Sequence, residues 1–308
     1  MLYSSEVYNQ VLKHPLLDEK KIELQVKRLD LIHPNIQGNK FFKLKYNLSE
    51  AKAQGFKSLL TFGGAYSNHI LATAEAAFLE GFSSFALIRG EKTEPLNPTL
   101  DRAKKLGMHL EYIDRSSYRL KAQPEFIKKL NDKFGDFYLI PEGGTNELAI
   151  RGTQEILTKE DEKFTHIACA IGTGGTFTGL AISKRPNQKL IGFSSLKGKF
   201  IHGEIEALIN KYSSNPIRGI QIFDSYHFGG YAKQKPELIE FIWPFFENFN
   251  VLLDPIYTAK AAFGLWDQIM KDNFPEGSKI LLIHTGGLQG NSGFTERTGI
   301  KLPAYPLG

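Results

Sequence analysis

The sequence has almost no cysteine and no long apolar run. Cys169 is the single cysteine among 308 residues, so no disulfide can form within the chain and we expect a reducing compartment, the cytoplasm. No stretch approaches the roughly 18 consecutive apolar residues of a membrane span. The first ten residues carry Glu6 and lack the apolar segment of a signal peptide. The sequence therefore predicts a cytoplasmic protein that does not cross a membrane.

Basic blocks and metal-binding spacings are also missing. The 38 basic and 33 acidic residues give a net charge of +5, but the lysines are spread in pairs and form no patch of the kind that binds nucleic acid. None of the 8 histidines falls in a metal-binding spacing, and a cysteine pair that could complete a zinc site is lacking. We therefore predict no nucleic-acid partner and no catalytic metal.

Short apolar segments alternate along the chain with segments of helical periodicity. The predicted strands are 58–62, 84–88, 109–113, 137–140, 165–171, 189–194, 219–223 and 279–284. The predicted helices are 67–80, 97–106, 176–184, 200–212, 236–248 and 258–271. This order indicates an α/β fold with mostly parallel, twisted sheets flanked by helices. The more amphipathic segment 22–32 predicts a pair of strands in an antiparallel or edge arrangement.

Four loops that follow predicted strands are rich in glycine and hydroxyl residues. Ligands of open parallel sheets bind outside the carboxyl ends of the strands, so these loops are where chemistry is expected. An ordinary reverse turn needs only one such glycine. The loops are Gly63 to Asn68, Glu142 to Asn146, Gly172-Thr173-Gly174-Gly175-Thr176 and Thr285 to Gly287.

The loop from Gly172 to Thr176 has the properties of a phosphate site. It follows an apolar strand and opens a helix, so backbone N–H groups and the positive helix end converge there. The dinucleotide fingerprint needs a glycine where Phe177 stands, and the triphosphate loop needs a lysine where Leu180 stands. The pattern therefore favours a single terminal phosphate, and the alternative is a strand-to-helix connection that binds nothing.

A phosphate loop without a nucleotide signature indicates a phosphorylated cofactor, and pyridoxal phosphate (PLP) also needs a lysine for its covalent linkage. Lys40 is the candidate. It follows Gly38 and Asn39, which break the preceding segment, and it opens a predicted helix with an apolar face. Partial burial at that helix end would lower the pKa of the amine and make it a better nucleophile. The alternative is one more solvent-exposed lysine.

Five spaced motifs together resemble the 1-aminocyclopropane-1-carboxylate deaminase and D-cysteine desulfhydrase family. They are Gly38-Asn39-Lys40, Gly63-Gly64 with Ser67-Asn68-His69, Gly172 to Thr176, Asp254-Pro-Ile-Tyr257-Thr258, and Thr285-Gly286-Gly287. The resemblance implies a PLP-dependent enzyme with the tryptophan synthase β-like fold. It also implies a smaller α/β domain, 45–153, inserted into a larger PLP-binding domain made of 1–44 and 154–308, and it suggests a homodimer.

The resemblance assigns roles to particular residues. Lys40 would bind PLP covalently and move protons at the substrate, and the Gly172-Thr173-Gly174-Gly175-Thr176 loop would hold the phosphate. Asn68 would contact the phenolic oxygen of PLP, and Thr285 would face the pyridine nitrogen. The substrate would contact Ser67, Asn68, His69, Tyr231 and Tyr257. Ser67, with the N–H groups of its helix, would take the carboxylate, and the two tyrosines would clamp the substrate or act as acid and base.

Departures from the family pattern bear on the substrate. Cyclopropane deaminases carry a glutamate where Thr258 stands and a leucine where Thr285 stands, and Tyr66 replaces a glutamine. The first two resemble the desulfhydrases, and a neutral Thr285 hydroxyl favours loss of a β substituent over transamination. We therefore predict β-elimination from a small, D-cysteine-like amino acid to pyruvate, ammonia and sulfide.

Three alternatives stay open at this stage. The first, within the same family, is opening of the cyclopropane amino acid to 2-oxobutanoate and ammonia. The second is a nucleotide-dependent oxidoreductase that uses the Gly172 loop. The third is a binding protein without a cofactor.

Overall fold

The computed structural model describes residues 4–92 and 94–305. Its strands are β1 (Asn9–Leu12), β2 (Glu23–Lys27), β3 (Ser58–Gly64), β4 (Ser83–Arg89), β5 (His109–Ile113), β6 (Tyr138–Ile140), β7 (His166–Ile171), β8 (Lys189–Ser194), β9 (Ile220–Phe223) and β10 (Lys279–Ile283). They form one sheet in the order β1-β2-β10-β7-β8-β9 and a second in the order β5-β4-β3-β6.

The helices cover these sheets. They are α1 (Pro15–Glu19), α2 (Asn39–Ala53), α3 (Asn68–Glu80), α4 (Pro98–Lys105), α5 (Arg115–Tyr118), α6 (Pro124–Phe134), α7 (Glu147–Gln154), α8 (Gly175–Ser183), α9 (Phe200–Tyr212), α10 (Pro236–Phe249), α11 (Thr258–Met270) and α12 (Gly290–Thr298). Each predicted helix is present, with ends shifted by at most a residue, and α1, α5, α6, α7 and α12 were not predicted.

Both sheets are parallel except for one pair of strands. Within residues 4–92 and 94–305, only β1 runs antiparallel to its neighbour β2, and the other strand pairs are parallel. All six residues of β7 are buried, as expected of a strand covered by helices on both faces. The predicted α/β fold with two mostly parallel sheets is therefore confirmed.

The expectation for 22–32 was wrong in detail. Only Glu23–Lys27 is a strand, and Leu29–Leu31 forms a 3₁₀ turn. The antiparallel edge strand is β1, while β2 lies inside the sheet and also pairs in parallel with β10. The amphipathic pattern reflected a strand followed by a tight turn, in which Leu24 and Leu29 are buried and Leu31 is exposed.

Helix α2 brings the two sheets together. Its residues Phe41, Leu44, Leu48 and Ala51 are buried, as its apolar spacing predicts. They belong to one apolar cluster that also contains residues of the second sheet, such as those of β3, and of the first sheet, such as those of β7 and β10. The N-terminus of α2, where Lys40 stands, therefore lies where the two sheets meet. Among the described residues, no helix is long and apolar enough to cross a bilayer.

Candidate active site

The carboxyl ends of strands from both sheets open onto one cavity of about 340 Å³. Loops after β3, β6, β7 and β10 contribute to its wall, as expected for a ligand site in an α/β protein. Eleven of the twelve residues singled out from the sequence line it, namely Lys40, Ser67, Asn68, His69, Gly172, Thr173, Gly174, Thr176, Tyr231, Tyr257 and Thr285. Gly175 does not line the cavity but begins α8 directly behind it.

Gly38 fixes the start of α2 against the end of β10. A Cβ atom on Gly38 would lie 2.0 Å from the backbone oxygen of Thr285, and the φ of Gly38 is +64°. Only glycine allows this approach and this conformation. The N–H of Asn39 donates to the same oxygen at 3.2 Å. The contact holds Lys40 beside Thr285, although the two residues are separated by most of the chain.

The amine of Lys40 faces the cavity and is prepared for nucleophilic chemistry. Its Nζ donates to Oδ1 of Asn39 at 2.9 Å. Burial lowers the pKa of Lys40 from 10.5 to about 8, and the nearby Asp254 carboxylate opposes this shift. Because the neutral amine is the nucleophile, a lower pKa increases the reactive fraction near neutral pH.

The loop after β7 is shaped by contacts that leave no space for side chains. A Cβ atom on Gly172 would lie 2.9 Å from the ring of Tyr257, and one on Gly175 would lie 2.9 Å from Oγ1 of Thr145. Thr176 accepts a hydrogen bond from Nδ2 of Asn39 at 2.8 Å. Backbone N–H groups at the start of α8 can therefore meet an anion directly, next to the helix that carries Lys40.

Lys43 is a site residue to which sequence analysis assigned no role. Its side chain is only 2% exposed, and Nζ donates to the oxygen of Gly143 at 2.8 Å and to Oγ1 of Thr145 at 3.2 Å. No carboxylate among the described residues pairs with it, and burial followed by repulsion from Lys40 lowers its pKa well below 10.5. A buried amine without a counter-ion, beside a glycine-rich helix start, fits the phosphate of PLP. The sequence held one sign that Lys43 belongs to the site: it stands three residues after Lys40, which places both lysines on the same face of the helix.

The loop after β3 supplies a helix N-terminus and a neutral histidine. Ser67 caps α3, its Oγ accepting from the N–H of Ile70 at 3.4 Å, so the serine proton is free for another acceptor. Nε2 of His69 lies 2.9 Å from Oγ1 of Thr61, which itself donates to the oxygen of Ile140. The hydrogen-bond pattern therefore assigns the histidine proton to Nε2.

His69 stays neutral because burial, then Lys40 and Lys43, lower its pKa well below 6.5. Its Nδ1 has no hydrogen-bond partner in the described structure. The neutral ring thus lies in the cavity wall, within electrostatic reach of both lysines.

Two tyrosines face each other at the opposite wall. The ring centroids of Tyr231 and Tyr257 are 6.1 Å apart. Burial first, and then the neighbouring Tyr231, raise the pKa of Tyr257 well above 10, and burial also raises the pKa of Tyr231. Both hydroxyls are therefore protonated at neutral pH and can donate to a developing negative charge.

Thr258 does not line the cavity. Its Oγ1 donates to Oδ1 of Asp254 at 2.7 Å and accepts from the Asp254 N–H at 2.7 Å. The Asp254 carboxylate also accepts from the N–H groups of Ile256 and Tyr257. This closed network orients Tyr257, so Thr258 bears on the substrate only through that network.

Two charged residues also line the wall, and sequence analysis assigned a role to neither. Arg89 is the last residue of β4, and its Cζ lies 5.4 Å from the ring centroid of Tyr118. Glu142 follows β6 and pairs with Lys121 at 3.3 Å. Glu142 begins one of the glycine-rich loops noted in the sequence, whereas Arg89 stands in no recognisable motif and its place became evident only from the sheet order. Among the described residues, no group of three or more His, Cys, Asp or Glu side chains could hold a metal ion.

Comparison with known proteins agrees with this geometry. The family model described as "Pyridoxal-phosphate dependent enzyme" matches residues 7–286. A putative 1-aminocyclopropane-1-carboxylate deaminase of Pyrococcus horikoshii is 32% identical over 87% of this chain and 85% of the relative. The mitochondrial bifunctional D-cysteine desulfhydrase/1-aminocyclopropane-1-carboxylate deaminase of Arabidopsis thaliana is 33% identical over 87% of this chain and 73% of its own length.

A solved structure described as an ACC deaminase homologue has the same fold. Its TM-score is 0.83 at 30% identity, and the match covers 96% of this chain and 94% of that one. The resemblance read from the five motifs is thereby confirmed, together with the cofactor and the enzymatic nature of the protein. This chain belongs to the family of pyridoxal-phosphate dependent enzymes and is similar over most of its length to proteins named for 1-aminocyclopropane-1-carboxylate deaminase and D-cysteine desulfhydrase.

Proposed function

We propose that this enzyme eliminates the β substituent of a small, D-cysteine-like amino acid as sulfide, and that one water then hydrolyses the product to pyruvate and ammonia. The observation that carries the proposal is the position of Thr285, a neutral hydroxyl at the end of β10 beside the lowered-pKa amine of Lys40. Among the described residues that line the cavity, Glu142 is the only acid, and it is engaged with Lys121. A wall that offers no free carboxyl to protonate the PLP ring favours loss of a leaving group over transamination.

PLP, when bound, supplies an aldehyde that bonds to the substrate amine and a ring that withdraws electrons from the neighbouring carbon. The protein supplies the remaining functions. Lys43 and the start of α8 bind the phosphate, and Asn68 orients the ring. Ser67 and the first N–H groups of α3 bind the substrate carboxylate, since a helix N-terminus is an anion site.

Proton movement falls to Lys40 and the tyrosines. Lys40 has a pKa of about 8, so its amine is neutral above about pH 8. The neutral amine removes the proton at the substrate α carbon. A tyrosine hydroxyl keeps its proton at neutral pH, and burial raises the pKa of both Tyr257 and Tyr231 further. They donate to the sulfur as it leaves, which avoids expulsion of a free anion into a partly closed cavity.

Ring opening of the cyclopropane amino acid to 2-oxobutanoate and ammonia is the second candidate. It is supported by the names of several relatives that are about 32% identical to this chain. The nucleotide-dependent oxidoreductase and the cofactor-free binding protein are disfavoured, because the chain belongs to a PLP-dependent family. The homodimer, the cytoplasmic location and the domain division into 1–44 with 154–308 and 45–153 stay predictions.

The test is a substrate panel with the PLP-loaded enzyme. D-cysteine, L-cysteine and the cyclopropane amino acid are offered separately, and sulfide, ammonia and the 2-oxo acid are measured. We expect sulfide and pyruvate from D-cysteine, with loss of turnover in K40A and normal turnover in K45A, an exposed lysine on the same helix that pairs with Glu155. Formation of 2-oxobutanoate without any sulfide would replace the proposal by the second candidate.

A further inference from the structure

The segment that carries Tyr231 has an unusual backbone. It connects β9 to α10, and φ is positive at Phe228 (50°), Gly229 (99°), Gly230 (114°) and Ala232 (54°). Side chains rarely adopt such values, and a run of them persists only where the surroundings hold it in place. The contacts that hold this turn therefore decide where the Tyr231 hydroxyl lies.

Lys260 makes those contacts from inside the protein. Its side chain is 0% exposed, which is rare for lysine. Nζ donates to the backbone oxygen of His227 at 2.9 Å and to that of Gly230 at 2.8 Å. These two oxygens lie at either end of the turn that immediately precedes Tyr231. Lys260 does not line the cavity, so its effect on the site is indirect.

The same lysine belongs to the element that carries the other tyrosine. Lys260 lies in the first turn of α11, and Tyr257 is the residue that caps this helix. Burial lowers the pKa of Lys260 to about 8, against the opposing effect of Asp254, the carboxylate that orients the Tyr257 backbone. One buried amine thus connects the helix start that fixes Tyr257 with the turn that fixes Tyr231.

We propose that Lys260 is a positioning residue that sets the distance between the Tyr231 and Tyr257 hydroxyls through its two bonds to the 227–231 turn. The inference rests on the proposed function only in that Tyr231 acts on the substrate. A displacement of about 1 Å at a reacting group can lower kcat by up to about 100-fold. Removal of the amine therefore affects turnover far more than substrate binding.

The first arm of the test measures the turn itself. K260M keeps the length of the side chain and removes both hydrogen bonds. K184M is the matched control. Lys184 is 9% exposed and also donates to a backbone oxygen, that of Gln188, at 2.8 Å. It follows the C-terminal end of α8, which is the end away from the cavity. Hydrogen exchange of the amides in 229–233 is expected to quicken at least about tenfold in K260M only, since the Gly230 N–H is bonded within this turn. Unchanged exchange in K260M would overturn the proposal.

The second arm is a double-mutant cycle on turnover. We expect K260M to lower kcat by about 10- to 100-fold with KM changed less than about threefold, and to have no further effect in a Y231F background. Equal losses in both backgrounds would show a role that does not pass through Tyr231 and would refute the inference. If K260M does not fold, K260Q, which keeps an N–H donor, is taken through the same cycle and is expected to show a smaller loss.

The two proposals fail in different ways. If no amino acid in the panel is turned over, the proposed function fails while the exchange arm still reports on Lys260. If sulfide is released but K260M behaves as K184M does, only the positioning role fails.

Discussion

Replacement of Lys43 by methionine tests how the enzyme recognises a phosphate. Lys43 is buried without a counter-ion, so an anion at the start of α8 would be its charge partner. Two unit charges about 4 Å apart attract by about 4 kcal/mol at an effective dielectric of about 20. Desolvation removes part of this, and a charge-assisted hydrogen bond leaves about 2 kcal/mol net. The expected loss in K43M is thus about 30-fold in Kd for PLP.

The comparison of PLP with pyridoxal isolates the phosphate. Apoprotein is titrated with each at constant pH, and the visible absorption of the lysine-bound form is recorded. K43M is expected to bind pyridoxal as the wild type does and to lose affinity only for PLP, whereas K45M keeps both affinities because Lys45 pairs with Glu155 on the surface. An equal loss for both compounds, or none for PLP, would refute the assignment of Lys43 to the phosphate.

Three further predictions concern ionisable side chains. The rate at which apoprotein captures PLP should rise with pH and reach half its maximum near pH 8, the pKa of Lys40. The reason is that about a quarter of this amine is neutral at pH 7.5, against about one in a thousand for an ordinary lysine. A rate that keeps rising beyond pH 9.5 would contradict the lowered pKa. Cys169, whose thiol pKa is raised by burial, should react with thiol reagents only when the protein is unfolded, and fast labelling of native protein would argue against its place in β7. Lys27 and Asp161 form a buried ion pair at 2.9 Å, so K27M should lower the free energy of unfolding by about 3 kcal/mol in urea, whereas K21M, at an exposed pair, should change it by less than about 1 kcal/mol.

Much of the architecture could be predicted because strands and loops here follow local rules. β7 is short, apolar and bounded by a glycine-rich loop, so both its strand state and its ligand-binding end are evident from the residues. β1 could not be found in this way. Its sequence, Asn-Gln-Val-Leu, has no alternating pattern, and its extended conformation comes from pairing with β2.

The residues of the site likewise differ in how far the sequence could predict them. Lys40 and the phosphate loop could be predicted because each stands in a motif whose spacing has a chemical reason. Lys260 is an ordinary lysine in the sequence, and Lys43 is marked there only by its position three residues after Lys40. The importance of both comes from burial, which only tertiary structure determines. Thr258 is the opposite case: the sequence singled it out, but the structure gives it no direct contact with the cavity. Its side chain bonds to Asp254 instead.

The close approach of Gly38 to Thr285 has a consequence for how the protein folds. The nucleophile and the group beside it come from opposite ends of the sequence, so they meet only after β10 has joined β2 in the sheet. Contacts between such distant segments form slowly, because a large loop must close first. During refolding, capture of the coenzyme should therefore lag behind the recovery of helix content, and a chain that stops before β10 should never acquire the colour of the bound form.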